Sequence, residues 1–314
     1  MKRLRIGLLG CGTVGGGFVR LAAAERERLR ARHGVDLEIA RILVRDPDKP
    51  RGGVDRRLLT TSALDVIDAD NDLIVEAIGG VHTAGTFVRR AIARGSAVVT
   101  ANKALLAASG RELFRAAAAN GVTIGFEASV CGGVPVIGAL RRGLAGDTIE
   151  SITGILNGTC NYVLSRMGQG VAFADAVIQA QNHGFAEADP SLDLSGEDAA
   201  QKLRILAEVA FDAPVRREVV RGIGERTRGR LIAEAKRIAG GVELIVEPRD
   251  DPRFAHVVDE QNAVLIRGRA VGEIWLSGRG AGSMPTAAAL LSDVVENVRD
   301  RFRDASERRR TLVA

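Results

Sequence analysis

The chain has 314 residues, which is enough for about two domains of roughly 150 residues each. Hydrophobic residues make up 46% and charged residues 26%, as in an ordinary globular protein. The net charge of +5 comes from basic residues interspersed with acidic ones, so we expect no nucleic-acid partner. No apolar run reaches the length of about 18 residues that a membrane span needs, and the first apolar run leads into glycines rather than a cleavage site. The three cysteines form no C-x-x-C pair, which argues against a zinc site and a disulfide framework. We therefore expect no membrane association and a cytoplasmic location.

Strands and helices alternate over the first part of the chain. Helical patterns run from the first glycines to about Arg32, from about Thr83 to Ala93 and from Lys103 to about Asn120. Short apolar runs predict strands at 3–9, 37–44, 73–77, 97–100 and 122–126. This alternation predicts an α/β fold, with a parallel sheet that helices cover on both faces.

The rhythm changes near Cys131, where the second half begins. A long helix to Leu144 and a strand at 150–156 come first, and helical patterns then dominate from Tyr162 to Ala210. Further strands are predicted at 242–246, 263–267 and 273–276, before a closing helix at 285–303. We predict domains at 1–133 and 134–284, the second of the α+β type, with the closing helix packing back on the first domain.

A glycine-rich turn directly follows the first predicted strand. The residues from Gly10 to Gly15 match G-x-G-x-x-G, and the strand before and the helix after make the match specific. The turn predicts a Rossmann-type dinucleotide-binding domain, in which the pyrophosphate lies on free N–H groups at the helix start. Its residues, the predicted cofactor contacts, are Gly10, Gly12, Thr13, Val14 and Gly15.

The end of the second strand bears on the choice of cofactor. An acidic residue there would bind the ribose hydroxyl of NAD, whereas an arginine would accommodate the 2′-phosphate of NADP. The strand ends in Val44-Arg45-Asp46. Arg45 favours NADP, and Asp46 keeps NAD possible.

Two of the few lysines lie in positions that suggest chemistry. Lys103 follows a parallel strand, at the sheet edge where ligands of such folds bind. Lys202 closes an acid-rich stretch that also contains Glu187, Asp193 and Asp198. Asp198 and Lys202 share a helix face at i and i+4, which is also the pattern of an ordinary surface ion pair.

Reduction of an aldehyde needs a proton donor for the forming alkoxide. Lys202 could supply that proton if its pKa were lowered toward neutrality. The clustered carboxylates, in particular Glu187 and Asp198, could bind the ammonium group of an amino-acid substrate.

Two further glycine-rich segments are ambiguous. The segment 127–135 joins the two halves and could offer carbonyl oxygens and a carboxylate to a hard cation, or could be a hinge. The segment 278–286 precedes the closing helix and could lie near the cofactor, or could be a plain loop.

Taken together, these segments resemble homoserine dehydrogenase over Ile6 to about Val298. The matching segments occur in the family's order and spacing: the glycine turn, TANKALLA at 100–107, EASVCGGVPVI at 127–137, GILNGTCNYVLSRM at 154–167, GFAEADPSLDLSGEDAAQKLRIL at 184–206 and GAGSMPTA at 280–287. The resemblance implies interconversion of L-aspartate 4-semialdehyde and L-homoserine with a nicotinamide dinucleotide, in threonine and methionine biosynthesis. It also implies a homodimer formed through the sheet of the catalytic domain.

The resemblance also implies roles for individual residues. Lys202 would donate and accept the proton, with Lys103 near the nicotinamide and the substrate. Glu187 and Asp198 would contact homoserine, and we group Asp193 with them. Gly184 and Gly282 would lie at the cofactor. A monovalent cation, usually sodium, would be bound by Glu127, Val130, Gly132 and Val134.

The sequence departs from the family pattern in a few places. Cys160 stands where Thr or Ser is more common, Arg279 precedes the last glycine segment, and residues 250–260 are unusual. A C-terminal regulatory domain, present in many members, is not expected, and neither is threonine feedback through one.

Two rival functions are consistent with parts of the pattern. A phosphorylating semialdehyde dehydrogenase would use Cys131 as its nucleophile, but no histidine is obviously paired with it. A non-catalytic dinucleotide sensor would bind the cofactor without turnover. The set formed by Lys103, Glu187, Asp198 and Lys202 argues against the sensor.

Overall fold

A computed structural model describes the backbone of residues 2–311 and the side chains of residues 3–298. The chain divides into two units, one combining Met1–Ser129 with Gly282–Ala314 and the other comprising Val130–Ala281. Within residues 2–311, no helix is long and apolar enough to cross a membrane. The domain boundaries after residues 133 and 284 stay predictions.

The first unit contains a parallel sheet of six strands in the order β3-β2-β1-β4-β5-β6. Its strands are β1 (Lys2–Leu9), β2 (Val35–Leu43), β3 (Leu59–Thr60), β4 (Leu73–Glu76), β5 (Ala97–Thr100) and β6 (Ile124–Gly125). Its helices up to this point of the chain are α1 (Thr13–Ala24), α2 (Arg26–His33), α3 (Ala63–Ile67), α4 (His82–Ala93) and α5 (Lys103–Ala119). The predicted α/β architecture is confirmed for this part of the chain.

Two inner strands of this sheet, β4 and β5, are buried along their whole length. Every residue of β4 and β5 is buried, as expected for apolar strands with helices on both faces. The chain runs from β1 outward to β2 and β3, and then crosses to β4 on the other side of β1. A crevice forms at the carboxyl ends of strands where the order reverses in this way, which is where such sheets bind ligands.

The second unit contains a mixed sheet of six strands in the order β12-β11-β7-β9-β10-β8, in which only β8 and β10 pair in parallel. The strands are β7 (Ile149–Ile155), β8 (Val215–Val220), β9 (Arg230–Ile238), β10 (Gly241–Arg249), β11 (Gln261–Gly268) and β12 (Gly272–Arg279). The helices are α6 (Val136–Gly138), α7 (Gly158–Gly168), α8 (Phe173–Asn182), α9 (Ser191–Leu194) and α10 (Glu197–Ala210). Helix α10 packs on β9 and β10 through buried residues such as Leu203 and Leu206.

The last helix, α11 (Ser283–Thr311), belongs to the first unit and packs on α1. Leu290 and Val294 join the same buried cluster as Phe18. Gly17 permits this packing, because a Cβ at that position would lie 2.8 Å from the Ser283 carbonyl oxygen.

Several predicted elements differ from the observed ones. The predicted helix to Arg32 is broken at Glu25 into α1 and α2, and the predicted helix to Leu144 is a short α6 followed by a π-helical turn at Ala139–Gly143. Strands β8 and β9 were not predicted. The sequence of β8, VRREVV, lacks the apolar pattern that would mark a buried strand, and its first four residues are exposed.

Candidate active site

The glycine turn leaves space for an anion at the start of α1. Gly10 has a φ of +96°, and a Cβ on Gly15 would lie 2.0 Å from the Gly10 carbonyl oxygen, so both positions require glycine. A Cβ on Gly12 would meet no atom within 4 Å. No side chain caps α1, which begins at Thr13. Its first N–H groups can therefore bind the phosphates of a ligand.

A cleft of about 1170 Å³ lies beside this turn within the first unit. Four cationic side chains line it: Arg20, Arg45, Lys49 and Arg51. Arg51 holds the loop after β2 against the turn, since its Nε donates to the Cys11 carbonyl at 3.2 Å and its Nη1 to the Asp46 carbonyl at 2.8 Å. The size, the positive charge and the helix N-terminus fit a dinucleotide with its phosphate groups.

Arg45 and Asp46 differ in what their side chains do. The Asp46 Oδ1 accepts hydrogen bonds from the backbone N–H groups of Asp48, at 2.8 Å, and Lys49, at 3.3 Å. This carboxylate therefore stabilises its own loop. Arg45 is exposed at the cleft.

A buried carboxylate organises the loops that follow β4 and β5. Glu76 is fully buried, and its Oε1 accepts from the N–H groups of Ile78, at 2.9 Å, and Gly79, at 3.0 Å. Its Oε2 accepts from the Thr100 hydroxyl, which in turn accepts from the Asn102 N–H at 3.0 Å. One side chain thus connects the two loops at the carboxyl edge of the sheet.

Lys103 is the first residue of α5 and is half-buried. Asn102 caps the helix, because its Oδ1 accepts from the Leu105 N–H at 3.0 Å and its Nδ2 donates to the Gly80 carbonyl at 2.7 Å. These hydrogen bonds fix the backbone at the start of α5, from which the Lys103 side chain extends.

A second buried cluster surrounds Lys202 in the second unit. The Lys202 Nζ donates to the Asp198 Oδ2 at 2.7 Å and to the Leu156 carbonyl at 2.8 Å. Asn157 Nδ2 donates to the same Asp198 oxygen and to the Asp193 Oδ1, each at 2.7 Å. The side chains of Lys202 and Asp198 are only 12% and 6% exposed, so this is not the ordinary surface ion pair that the spacing alone allowed.

The charges of this cluster determine the direction of the Lys202 pKa shift. Burial lowers the pKa of Lys202, but the attraction of Asp198 and smaller contributions outweigh it, so the pKa is raised above the usual lysine value. The lowering toward neutrality, which the sequence left as a condition for proton donation, is therefore not found. Burial and then the neighbouring Asp198 raise the pKa of Asp193. Two carboxylates around one ammonium can accept a second cationic group.

The remaining predicted site residues lie in different surroundings. Glu187 is exposed on the loop after α8, and within the described residues its carboxylate has no hydrogen bond to Lys202. Gly184 ends the turn after α8 with a φ of +73°, and Gly282 precedes α11 with a φ of +113°. Both are exposed glycines in left-handed conformations, and they belong to different units.

The predicted cation ligands are also divided between the units. Glu127 belongs to the first unit, where it is 7% exposed and its N–H donates to the Asp293 Oδ2 at 2.8 Å. Val130, Gly132 and Val134 belong to the second, around a turn in which Gly132 has a φ of +47°. No group of three or more His, Cys, Asp or Glu residues that could hold a metal occurs in the part of the chain that the structure describes. The predicted site contains only one residue of those types.

Two polar residues of these clusters were not predicted. Glu76 ends β4 and lies inside the predicted strand 73–77, where the apolar run gives no signal for a functional carboxylate. Asn157 follows β7, and its Oδ1 caps α7 by accepting from the Cys160 N–H at 2.7 Å. An asparagine between a strand and a helix is the signal that could have found it.

Comparisons with known proteins show which family this chain resembles. The family profile described as homoserine dehydrogenase, NAD binding domain, matches residues 10–127, and that of homoserine dehydrogenase matches residues 135–295. The homoserine dehydrogenase of Pseudomonas aeruginosa is 39% identical over 98% of this chain and 75% of its own length, and that of Bacillus subtilis is 40% identical over 94% and 73%.

Solved structures of homoserine dehydrogenases are also similar to this chain. A homoserine dehydrogenase from Thiobacillus denitrificans has a TM-score of 0.91 with 42% identity, over 97% of this chain and 75% of its own. A hyperthermophilic archaeal homoserine dehydrogenase in complex with NADPH has a TM-score of 0.84 with 27% identity, over 95% and 98%. The chain belongs to the homoserine dehydrogenase family.

Proposed function

We propose that this protein interconverts L-aspartate 4-semialdehyde and L-homoserine with a nicotinamide dinucleotide, as a step of threonine and methionine biosynthesis. The observation that carries the proposal is the buried ammonium of Lys202 beside two carboxylates, in a chain that also has an open glycine turn at a helix N-terminus. Family membership supports the same reaction.

Lys202 is the proposed general acid and base. When bound, the dinucleotide supplies or accepts the hydride. In the direction of reduction, the ammonium donates a proton to the substrate oxygen as it becomes an alcohol. Two of its three N–H groups donate to Asp198 and Leu156, which fixes the nitrogen and leaves the third for the substrate. The raised pKa keeps Lys202 protonated at neutral pH, ready for reduction.

The carboxylates are proposed to bind the amino-acid part of the substrate. Asp193 and Asp198 face one another through Asn157, and a substrate ammonium would balance their charge. Glu187 is exposed and free of internal ion pairs among the described residues, so its carboxylate is available to the same ammonium. Lys103 is proposed to lie near the nicotinamide and the substrate, with Gly184 and Gly282 at the cofactor.

We propose NADP as the preferred cofactor, with NAD as the alternative. The exposed guanidinium of Arg45 can bind a 2′-phosphate in bidentate fashion. Asp46, which would have to bind the ribose hydroxyl of NAD, already accepts two backbone hydrogen bonds through one oxygen.

Other proposed properties follow from the family resemblance. Glu127 and the carbonyl oxygens of Val130, Gly132 and Val134 are proposed to bind a monovalent cation such as sodium. The second sheet, where Trp275 is 39% exposed, is proposed to form a homodimer. None of the three cysteines forms a disulfide, which fits a reducing cytoplasm.

The proposal is tested by mixing purified protein with L-homoserine and either NADP⁺ or NAD⁺ at alkaline pH, with sodium or potassium present. Formation of reduced cofactor at the nicotinamide absorbance band supports the reaction and reports the cofactor preference. Cofactor binding without reduction would contradict it and favour the sensor. Phosphate-dependent oxidation of the semialdehyde that is lost in Cys131→Ser would favour the phosphorylating enzyme.

A further inference from the structure

The two carboxylates of the buried cluster share one amide. Asp193 lies on α9 and Asp198 on α10, yet one oxygen of each lies 2.7 Å from the same nitrogen, the Nδ2 of Asn157. Asn157 is itself 3% exposed. Like-charged carboxylates repel each other, so a donor shared between them helps to hold the buried Asp198 and the half-buried Asp193 side by side.

The other end of the Asn157 amide is fixed as well. Its Oδ1 accepts from the Cys160 N–H at 2.7 Å, which caps α7 and determines which way the amide points. The preceding residue contributes too, since the Leu156 carbonyl accepts from the Lys202 Nζ at 2.8 Å. The short connection between β7 and α7 therefore binds the ammonium through Leu156 and the carboxylates through Asn157.

From this geometry we infer that Asn157 is a positioning residue of the reaction, which holds Asp193 and Asp198 together as the receptor for the substrate ammonium. The inference rests on the proposed function. Asn157 does not touch the reacting atoms. It acts through the carboxylates, and through Asp198 on the orientation of Lys202.

The electrostatic effect of Asn157 has a definite sign. Burial and Asp198 raise the pKa of Asp193, whereas the hydrogen bond from Asn157 opposes that rise. The other ionisable groups facing Asp193 are the Lys202 ammonium and the Cys160 thiol. Without the amide, Asp193 therefore holds its proton to higher pH, and the site loses negative charge that would bind the substrate.

The experiment uses substitutions that separate the bridge from the helix cap. Asn157→Ser keeps an oxygen that can cap α7, but its single short hydroxyl cannot donate to both carboxylates. Asn157→Asp keeps the shape and the cap but replaces the donor by a third acidic group. The matched control is Asn161→Ser: Asn161 is also buried in α7, but its Nδ2 donates to the Val257 and Gln261 carbonyls, away from the cluster.

Steady-state kinetics and thermal melting would be measured for the wild type and all three variants. For Asn157→Ser we expect KM for homoserine to rise roughly tenfold or more, as for loss of a hydrogen bond to a charged group, with a smaller change in kcat. The acidic limb of the kcat/KM profile should move to higher pH, and the KM for the cofactor should stay unchanged. Asn157→Asp should show a larger shift, while Asn161→Ser should lose thermal stability without either kinetic change.

An Asn157→Ser enzyme with KM within twofold of wild type and an unmoved acidic limb would overturn the inference. Should that variant fail to fold, the same two readouts on Asn157→Asp decide the question. A wild type without turnover would instead contradict the proposed function. The two failures are therefore distinguishable.

Discussion

Replacing Lys202 by Met tests the charge balance of the buried cluster through stability. The substitution removes the ammonium, which lies 2.7 Å from Asp198, and so takes its positive charge away from both Asp198 and Asp193. Breaking a buried pair by removing one partner typically costs about 3–5 kcal/mol. The side chains are only 12% and 6% exposed, so solvent screening reduces this cost little. Turnover should also fall by a factor of about 10² or more, as for loss of a general acid.

The same substitution should change how stability depends on pH. The pKa of Asp193 is already raised, and Lys202 is one of the groups that oppose the rise, so the variant should raise it further. A carboxyl whose folded pKa exceeds its unfolded value binds more protons in the folded state, so stability falls as pH rises. Lys202→Met should therefore be least stable, relative to wild type, at neutral and alkaline pH and recover toward about pH 4, near the ordinary Asp value.

Urea denaturation at several pH values measures both effects. The matched control is Arg217→Met, because Arg217 pairs with Glu243 at the same distance of 2.7 Å but is 65% exposed. Exposed pairs contribute about 1 kcal/mol or less, so this variant should lose little stability. If Lys202→Met lost no more free energy of unfolding than Arg217→Met, or lost the same amount at every pH, the argument from buried charge would be refuted.

Three further predictions concern the reaction and the cofactor. Homoserine oxidation needs the neutral form of Lys202 as the base, and the pKa of Lys202 is raised. The oxidation rate should therefore increase with pH through the alkaline range in a pH–kcat profile. A flat profile would argue against this base. Arg45→Ala should weaken NADPH binding far more than NADH binding in fluorescence titrations, and equal losses would remove its proposed role. Gly12→Ala should fold normally but bind cofactor poorly, since its Cβ would project into the open space proposed for the phosphates. Gly15→Ala should instead lower the melting temperature, because its Cβ would collide with the Gly10 carbonyl oxygen. Normal cofactor affinity in Gly12→Ala would contradict the assigned position of the phosphates.

The features that could be predicted from sequence are those encoded by neighbouring residues. The glycine turn is a contiguous motif between a strand and a helix, and Asp198 and Lys202 are one helical turn apart. The parallel sheet followed from alternating apolar runs whose strands are buried on both faces. In each case a local pattern was enough to indicate the structure.

The features that were missed depend on contacts between distant parts of the chain. Asn157 binds Asp198 across 41 positions, and Glu76 binds Thr100 across 24. No local pattern indicates which polar residues will meet across such separations. The sign of the Lys202 pKa shift could not be predicted either, because it depends on whether burial or the nearby carboxylates dominate.

The edge of the second sheet shows a similar limit. Strand β8 has the sequence VRREVV, and its exposed charged residues are stabilised by pairing with β10 rather than by burial. In the first unit, the run around Glu25 reads as one continuous helix, although the chain interrupts the helix there. The first case depends on tertiary pairing that overrides the local pattern, and the second shows that an uninterrupted helical pattern does not locate a break.

The most direct test of the central claim is a comparison of wild type and Lys202→Met in one assay of L-homoserine oxidation with NADP⁺, with cofactor binding measured separately by fluorescence. The account predicts that wild type reduces the cofactor, and that the variant binds it with wild-type affinity while losing about 10²-fold or more in turnover. Near-normal turnover in the variant would contradict the role of Lys202. Absence of turnover in a wild type that binds the cofactor would contradict the proposed reaction itself.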